Sequence, residues 1–384
     1  MGWDPGTLLS PVSVGAPAHG GHCVARVDGK VVFVRHALPG ETVEVRITSD
    51  DHERYARGDA VRVLDAAPGR VTPPCPVAGP GLCGGCDFQH ADLPTQRELK
   101  RLVVAEQLRR LGGYEWEGEV EAVPPDNGLG WRTRMRYQVA DSGRLALRAH
   151  RSHELVEVPD GACPLAHPEQ PSRDELYEPG AEVIVAGRGA EGAVLVDDEL
   201  VQGAPLLHER AAGRSWRVPA DGFWQVHEAA PDTLVAAVLD GLGARPGETA
   251  WDLYCGVGLF AGPLVDAGAE VRGVESSGRA VREAARNVPE ARFEAGRVDR
   301  VIRRWPSRVD LVVADPPRTG LGRTVVDQLV RRRPRRIAYV ACDPAALGRD
   351  VATFADSGYR VVSVRAFDIF PMTHHVECVA VLEA

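Results

Sequence analysis

A single cysteine, Cys342, stands where an apolar segment meets the start of a predicted helix. Residues 337–341 predict a buried strand, and Asp343-Pro344 can cap and begin a helix. The dipole of that helix would favour the thiolate of Cys342, whereas an ionised Asp343 would oppose it, and the sequence leaves the balance open. A thiolate that adds to carbon 6 of a uracil makes carbon 5 nucleophilic enough to take a methyl group. A buried packing cysteine is the alternative that Cys342 in isolation favours.

The last apolar segment offers a general base for such a reaction. After the cysteine has added, a base must remove the proton from carbon 5 so that the cysteine can be eliminated. Glu377 interrupts the otherwise apolar residues 376–382. Its carboxylate therefore faces either solvent or a site, and the pattern alone leaves both alternatives open.

Residues 249–260 run from an apolar strand through a glycine loop into a helix, as in nucleotide-binding turns. Gly256 and Gly258 allow close approach of the backbone to a ligand. Glu275 ends the next predicted strand, where a carboxylate can hold a ribose diol. An alanine replaces the third glycine of the dinucleotide fingerprint, and Asp252 precedes the glycines. These two features favour an S-adenosylmethionine site over a nicotinamide dinucleotide site.

A further strand, residues 309–314, ends in Asp315-Pro316-Pro317-Arg318. Ligands of open α/β sheets bind at the carboxyl ends of strands, where these polar residues fall. A strand that simply stops at two prolines is the alternative. Arg318 stands where enzymes that methylate exocyclic amines often carry an aromatic residue, so that chemistry is disfavoured.

Three predicted parts must position these residues. They are an OB-type β-barrel, a β-rich central domain and a parallel α/β domain, over residues 1–70, 71–212 and 213–384. In the first part, short alternating strands flank the tight-turn signal Asp28-Gly29, and residues 52–57 are basic with an interleaved aromatic. In the second, residues 93–111 predict an amphipathic helix that can pack on the third. The third alternates strands and helices, as a Rossmann-like fold does.

Four cysteines fall in the central part, and they suit metal binding. They are Cys75, Cys83, Cys86 and Cys163. Four thiolates can hold tetrahedral zinc or a [4Fe–4S] cluster. A second C-x2-C pair, usual in zinc ribbons, is absent, and a proline follows Cys163 as in iron–sulfur proteins. The pattern favours an iron–sulfur cluster and leaves zinc and no metal as alternatives.

The composition limits the class of protein. The formal net charge of −9 argues against a protein that coats RNA passively, although a local basic face can coexist with it. No run of eighteen apolar residues and no basic leader followed by an apolar stretch occurs, so we expect neither a membrane span nor a secretory signal. We therefore expect a cytoplasmic protein, and a monomer.

Together these motifs resemble the RNA 5-methyluridine methyltransferase family, including its iron–sulfur-containing ribosomal RNA enzymes. The resemblance covers nearly the whole chain. It is carried by Phe223-Trp224-Gln225, the donor loop 252–258, Asp315-Pro316-Pro317-Arg318, Cys342, and the terminal motif 370–377. The amino-terminal barrel resembles the TRAM domain with which these enzymes hold RNA.

The resemblance implies a multidomain α/β protein with a class I methyltransferase domain, a TRAM barrel and a β-rich central domain. It implies S-adenosylmethionine and a [4Fe–4S] cluster as cofactors and RNA as partner, with ribosomal RNA favoured over transfer RNA. In the implied site, Cys342 attacks and Glu377 accepts the proton. The donor and uracil are lined by Gln225, Tyr254, Glu275 and Asp315, with Asp299 near the adenine.

The chain departs from the family at two places. Asp343 replaces the asparagine usual after the cysteine, and the gap between Cys75 and Cys83 is longer than usual. Two other readings remain open. One is a catalytically idle iron–sulfur protein that binds RNA, and the other is a methyltransferase for carbon 5 of cytosine.

Overall fold

The amino-terminal segment forms a closed five-stranded barrel in this computed structural model, which describes residues 2–171 and 175–384. Its strands are β1 (Leu8–Ala18), β2 (His22–Val27), β3 (Lys30–Arg35), β4 (Thr42–His52) and β5 (Tyr55–Asp65). They are ordered β1-β2-β3-β5-β4, and alternate valines fill the interior. Asp28 and Gly29 have φ angles of 49° and 81°, as the predicted tight hairpin requires. The predicted barrel is confirmed.

Within its described residues, the central region contains one α-helix and nine strands. They are α1 (Leu93–Gly112), β6 (Val120–Ala122), β7 (Arg134–Val139), β8 (Leu145–Arg148), β9 (Leu155–Glu157), β10 (Glu182–Ala186), β11 (Ala193–Val196), β12 (Glu199–Gln202), β13 (Leu206–Ala211) and β14 (Arg214–Pro219). Six of these strands form an antiparallel sheet in the order β12-β11-β10-β7-β8-β9, and β13 pairs with β14. The sheet packs over a core that contains Trp131, Tyr137, Cys86 and Cys163.

The carboxyl-terminal region alternates helices and strands. They are α2 (Ala230–Leu242), β15 (Thr249–Leu253), α3 (Ala261–Asp266), β16 (Glu270–Glu275), α4 (Gly278–Asn287), β17 (Arg292–Ala295), α5 (Val298–Val301), β18 (Leu311–Ala314), α6 (Gly322–Arg332), β19 (Arg336–Ala341), α7 (Pro344–Ala355), β20 (Arg360–Asp368) and β21 (Glu377–Glu383). The sheet order is β17-β16-β15-β18-β19-β21-β20-β6. The strands from β15 to β19 are parallel, and β21 is antiparallel to its neighbours.

Two elements of residues 71–212, the predicted central domain, pack with the carboxyl-terminal region. β6 extends the edge of the eight-stranded sheet beside β20. The helix α1 packs on α7 with their backbones close together, since a Cβ atom at Gly348 would lie 2.8 Å from the carbonyl oxygen of Gln107. The eight-stranded sheet and the helices that pack on it are therefore assembled from both halves of the chain. In the described ranges, no helix combines the length and the apolar composition that crossing a bilayer requires.

Candidate active site

The strand register brings the polar motifs to one edge of the sheet. Leu253, at the end of β15, is level with Val274 on one side and Ala314 on the other. The residues that follow these strand ends therefore lie side by side. On the next pair, Ala341 of β19 is opposite Cys378 of β21, although these strands run in opposite directions. Cys342 follows the last residue of β19, and Glu377 is the first residue of β21. The antiparallel register therefore places Cys342 next to Glu377.

These residues open onto a cavity of about 1120 Å³. Eight of the ten residues predicted for catalysis or donor binding line it. They are Gln225, Tyr254, Gly256, Glu275, Asp299, Asp315, Cys342 and Glu377. The cavity is large enough to hold a nucleoside-sized donor together with a second base.

The glycine loop and Glu275 form one end of the cavity. Tyr254 and Gly256 both have positive φ angles, 62° and 54°, so the chain turns sharply and presents backbone N–H groups. The carboxylate of Glu275 accepts a hydrogen bond from Ser277 N at 2.9 Å and lies 3.4 Å from Gly256 N. It is thereby held at the cavity wall, where it can accept hydrogen bonds from a ribose diol.

Two predicted donor residues lie behind the loop instead of lining the cavity. Asp252 is fully buried and accepts a hydrogen bond from Ala261 N at 2.9 Å, which ties the loop to the start of α3. Gly258 has a φ of 96°, and a Cβ atom there would touch Val288 at 3.4 Å. Both residues therefore shape the loop and do not contact the cavity.

The sulfur of Cys342 lies in a half-buried, acidic environment. Burial, followed by the negative charges of Glu377 and Asp315, raises the pKa of the Cys342 thiol to about 12. The Arg318 guanidinium acts in the opposite direction. Burial therefore favours the protonated thiol, and of the two effects that the sequence weighed, the charge of Asp343 acts in the same direction.

Asp343, next to Cys342, contacts two partners through its carboxylate. Its Oδ1 accepts a hydrogen bond from Ala346 N at 2.7 Å and caps α7, as the sequence indicated. Its Oδ2 lies 3.0 Å from Nε2 of His19, which belongs to the turn between β1 and β2 of the barrel. Burial opposes its ionisation, but these hydrogen bonds lower the pKa of Asp343 on balance. The barrel thus touches the residue beside Cys342.

Glu377 and Asp315 are two acidic residues that line the same cavity. Burial and the charge of Asp315 raise the pKa of Glu377 well above its usual value, while Arg318 lowers it. Burial, followed by the charge of Glu275, raises the pKa of Asp315 to about 7. Gln225 donates to Asp315 at 3.4 Å. One Glu377 oxygen is buried with no hydrogen-bond partner among the described residues, so it is available to a ligand.

The loop that follows Asp315 is held from beneath. Asp350 of α7 accepts hydrogen bonds from Leu321 N, Gly322 N and the Tyr339 hydroxyl at 2.7, 3.1 and 2.8 Å. This carboxylate fixes the loop that carries the proline pair and Arg318. The Arg318 guanidinium, which faces the cavity, lies 3.1 Å from Nε2 of His375.

The four candidate metal ligands line a second cavity, of about 110 Å³. Two of their sulfurs accept N–H hydrogen bonds, Cys86 from Gln89 at 3.1 Å and Cys83 from Gly85 at 3.4 Å. Over the described part of the chain, no group of three or more His, Cys, Asp or Glu side chains is arranged to hold a metal ion. The geometry therefore brings the four thiols around one space without forming a closed single-ion site.

Comparison with known proteins agrees with this geometry. The TRAM domain family matches residues 10–61, and the tRNA (Uracil-5-)-methyltransferase family matches residues 302–384. An uncharacterized RNA methyltransferase of Streptomyces avermitilis is 46% identical, covering 97% of this chain and 97% of the relative. A relative of the same description from Bifidobacterium longum is 37% identical, covering 97% and 96%. The chain belongs to the RNA uracil-5 methyltransferase family.

The fold of the methyltransferase is shared beyond these relatives. Pyrococcus abyssi tRNA (uracil-54, C5)-methyltransferase, solved in complex with S-adenosyl-L-homocysteine, matches with a TM-score of 0.72 and 24% identity, over 97% of this chain and 99% of that chain. The predicted architecture, a class I methyltransferase domain with an OB-type barrel and strand-rich regions, is confirmed. Family membership also confirms the prediction that S-adenosylmethionine is the methyl donor.

Some cavity residues of the methyltransferase were missed by sequence reasoning. Arg132, just before β7, lines both the donor cavity and the cysteine cavity. Phe223 lines the donor cavity with 70% of its side chain exposed. Phe223 carried a signal, because it begins the motif that contains Gln225, whereas Arg132 carried none in a chain so rich in arginine.

Proposed function

We propose that this methyltransferase methylates carbon 5 of a uridine in structured RNA through a covalent bond between Cys342 and carbon 6. The observation that carries the proposal is the adjacency of Cys342 and Glu377 across β19 and β21 in the cavity that also holds the donor loop. A nucleophile, a base and a methyl-donor site then meet around one pyrimidine ring.

In the proposed reaction, the Cys342 sulfur bonds to carbon 6 as its proton passes to water. The electrons of the 5,6 double bond move to carbon 5 and the adjacent carbonyl, forming an enolate. Bound S-adenosylmethionine supplies an electrophilic methyl group, which carbon 5 takes as S-adenosylhomocysteine leaves. Glu377 then removes the carbon 5 proton, the double bond re-forms, and the Cys342 sulfur is expelled.

The surrounding residues have positioning roles in this scheme. Gln225 and Asp315, already hydrogen-bonded to each other, present an amide and a carboxyl group to the polar edge of the uracil. Asp315, protonated below about pH 7, can donate to a carbonyl oxygen. Glu275 and Asp299 both line the cavity, and in this scheme Glu275 would bind the ribose of the donor and Asp299 its adenine.

We also propose that Cys75, Cys83, Cys86 and Cys163 hold a [4Fe–4S] cluster. All four line one cavity, and N–H donors reach the sulfurs of Cys83 and Cys86, as is common around iron–sulfur clusters. Methyl transfer moves no electrons, so the cluster would fix the central domain and its RNA-facing loops instead of taking part in the chemistry.

The barrel offers a surface suited to unpaired nucleotides. His52 stacks on Tyr55 with ring centroids 4.2 Å apart, and the guanidinium of Arg57 lies 4.8 Å from the Tyr55 ring centroid. Arg151, in the β8–β9 turn, adds another cation near this platform. Burial, followed by the charge of Arg57, lowers the pKa of Arg151. An aromatic platform with neighbouring arginines binds single-stranded RNA by stacking and by phosphate contacts.

A covalent trap tests the proposal. Incubation with S-adenosylmethionine and RNA that contains 5-fluorouridine should give an adduct that survives denaturation, because fluorine at carbon 5 cannot be removed as a proton. Cys342→Ala should form none. Cys378→Ala, which removes the buried thiol opposite Ala341, is the matched control and should still form it. An absence of adduct with every RNA would favour an idle RNA-binding protein.

The RNA itself is identified by nucleoside mass spectrometry. Ribosomal RNA is the first substrate to examine because of the resemblance of the cysteine set, and transfer RNA is the second. A strain that lacks the gene should lose 5-methyluridine from one position. Intact 5-methyluridine with lost 5-methylcytidine would replace uracil by cytosine as the target.

A further inference from the structure

The loop that leads to the proposed base is held by the amino-terminal half of the chain. We call residues 369–376, between β20 and β21, the base loop. It presents His375 to Arg318 and runs directly into Glu377. Met372 within it has a φ of 68°, a conformation that a non-glycine residue keeps only when its surroundings impose it.

Asp87 makes the densest set of contacts with the base loop. Its backbone N–H donates to the carbonyl oxygen of Met372 at 3.0 Å, and that of Phe88 donates to the same oxygen at 3.0 Å. Oδ2 of Asp87 accepts a hydrogen bond from His374 N at 3.1 Å and lies 2.6 Å from His374 Nδ1. These contacts fix both the strained peptide and the ring that precedes His375.

The same carboxylate connects the loop to the two other parts of the molecule. Oδ1 of Asp87 accepts a hydrogen bond from Arg35 of the barrel at 3.2 Å. Asp87 also follows Cys86, a proposed cluster ligand, and its side chain is 7% exposed. A buried carboxylate that contacts Arg35 through one oxygen and His374 through the other is held in one orientation, so movement of either partner is passed to the base loop.

We propose that Asp87 is a positioning residue that sets the placement of Glu377 through His374. The inference rests on the proposed function, because it concerns the step in which Glu377 takes the carbon 5 proton. The proposal gives the loop that carries Cys86, and the barrel through Arg35, a part in catalysis. That part involves neither electron transfer nor contact with the methyl donor. Asp87 itself touches no reacting atom.

The test separates the two chemical steps on RNA with ordinary uridine. Adduct formation and adduct release are measured in single-turnover experiments on the purified full-length enzyme, together with KM for both substrates and iron content. In Asp87→Asn and His374→Ala, release should slow about tenfold to a hundredfold, the usual range when a residue behind a reactive group is lost. Adduct formation, both KM values and iron content should stay within about twofold of wild type.

Rescue distinguishes positioning from general damage. His374→Asn keeps an N–H donor near the place of Nδ1, so it should recover most of the release rate that His374→Ala loses. Glu41→Gln is the matched control. Glu41 is also a buried carboxylate, but it lies next to β4 of the barrel and pairs with Arg70, so its loss should leave release unchanged.

Three results would overturn the inference. They are normal release in both Asp87→Asn and His374→Ala, failure of His374→Asn to recover any activity, and loss of iron in parallel with the loss of turnover. Wild-type enzyme that forms no adduct would instead refute the proposed function, so the two failures are distinct.

Discussion

Lys100 connects helix α1 to the eight-stranded sheet of the carboxyl-terminal region, so substituting it should destabilise the protein. It is one of two lysines among 45 basic residues, and its side chain is fully buried on α1. Its Nζ lies 2.6 Å from Asp368 Oδ1 and 3.0 Å from the carbonyl oxygen of Phe370. Lys100→Met keeps the volume but leaves a buried carboxylate and a buried carbonyl without their donor.

Breaking one side of a buried ion pair costs about 3–5 kcal/mol of unfolding free energy. Since about 1 kcal/mol shifts the Tm of a domain of this size by roughly 2–4 °C, Lys100→Met should lower the Tm by roughly 6–20 °C. Scanning calorimetry measures this shift. Adding Asp368→Asn to Lys100→Met should restore part of the loss, because the unpaired charge is then gone.

The other lysine provides the control for Lys100→Met. Lys30 pairs with Asp50 in the barrel and keeps 15% of its side chain exposed, whereas Lys100 is fully buried, so Lys30→Met should lower the Tm less. A Tm of Lys100→Met within about 2 °C of wild type, or a double variant no more stable than the single one, would refute the reasoning.

Three further outcomes follow from the site. Adduct release should become faster as the pH rises above the usual titration range of a glutamate, because burial, followed by the charge of Asp315, raises the pKa of Glu377 well above its usual value and only an ionised carboxylate accepts a proton; a rate that falls with pH would contradict this. Glu275→Ala should raise the Kd for S-adenosylmethionine about tenfold to a hundredfold in calorimetry, with Asp299→Ala, whose carboxylate is already paired with Arg297, changing it less. Enzyme purified after iron starvation should bind the donor normally but show a lower Tm and weaker RNA binding; an unchanged Tm would argue against a cluster.

Much of the catalytic domain could be predicted because each motif occupies a short contiguous segment. Asp315 and Cys342 each follow an apolar strand, and the strands of a parallel α/β sheet present their carboxyl ends at one edge. The Asp28-Gly29 hairpin was equally local, since two positive φ angles in succession require such residues. Residue type and spacing were sufficient wherever the geometry is set by neighbours in sequence.

Tertiary structure decided the features that depend on distant partners. Asp252 and Gly258 belong to the donor motif in sequence, yet they lie behind the loop. The side of a loop that a residue faces depends on the distant residues that pack against the loop. Likewise, the sequence predicted that the helix at residues 93–111 can pack on the α/β domain, but no local pattern shows that β6 joins the edge of that sheet, because the partner of an edge strand is not encoded within it.

The environment of Cys342 shows the same division most clearly. The sequence determined that a cysteine stands between a strand and a helix, with an aspartate to cap that helix. Only the folded chain buries the thiol and places Glu377 and Asp315 near it, which together raise its pKa, and brings His19 from the barrel onto Asp343. Charge interactions act through space over a few ångströms, and only folding brings residues hundreds of positions apart within that range.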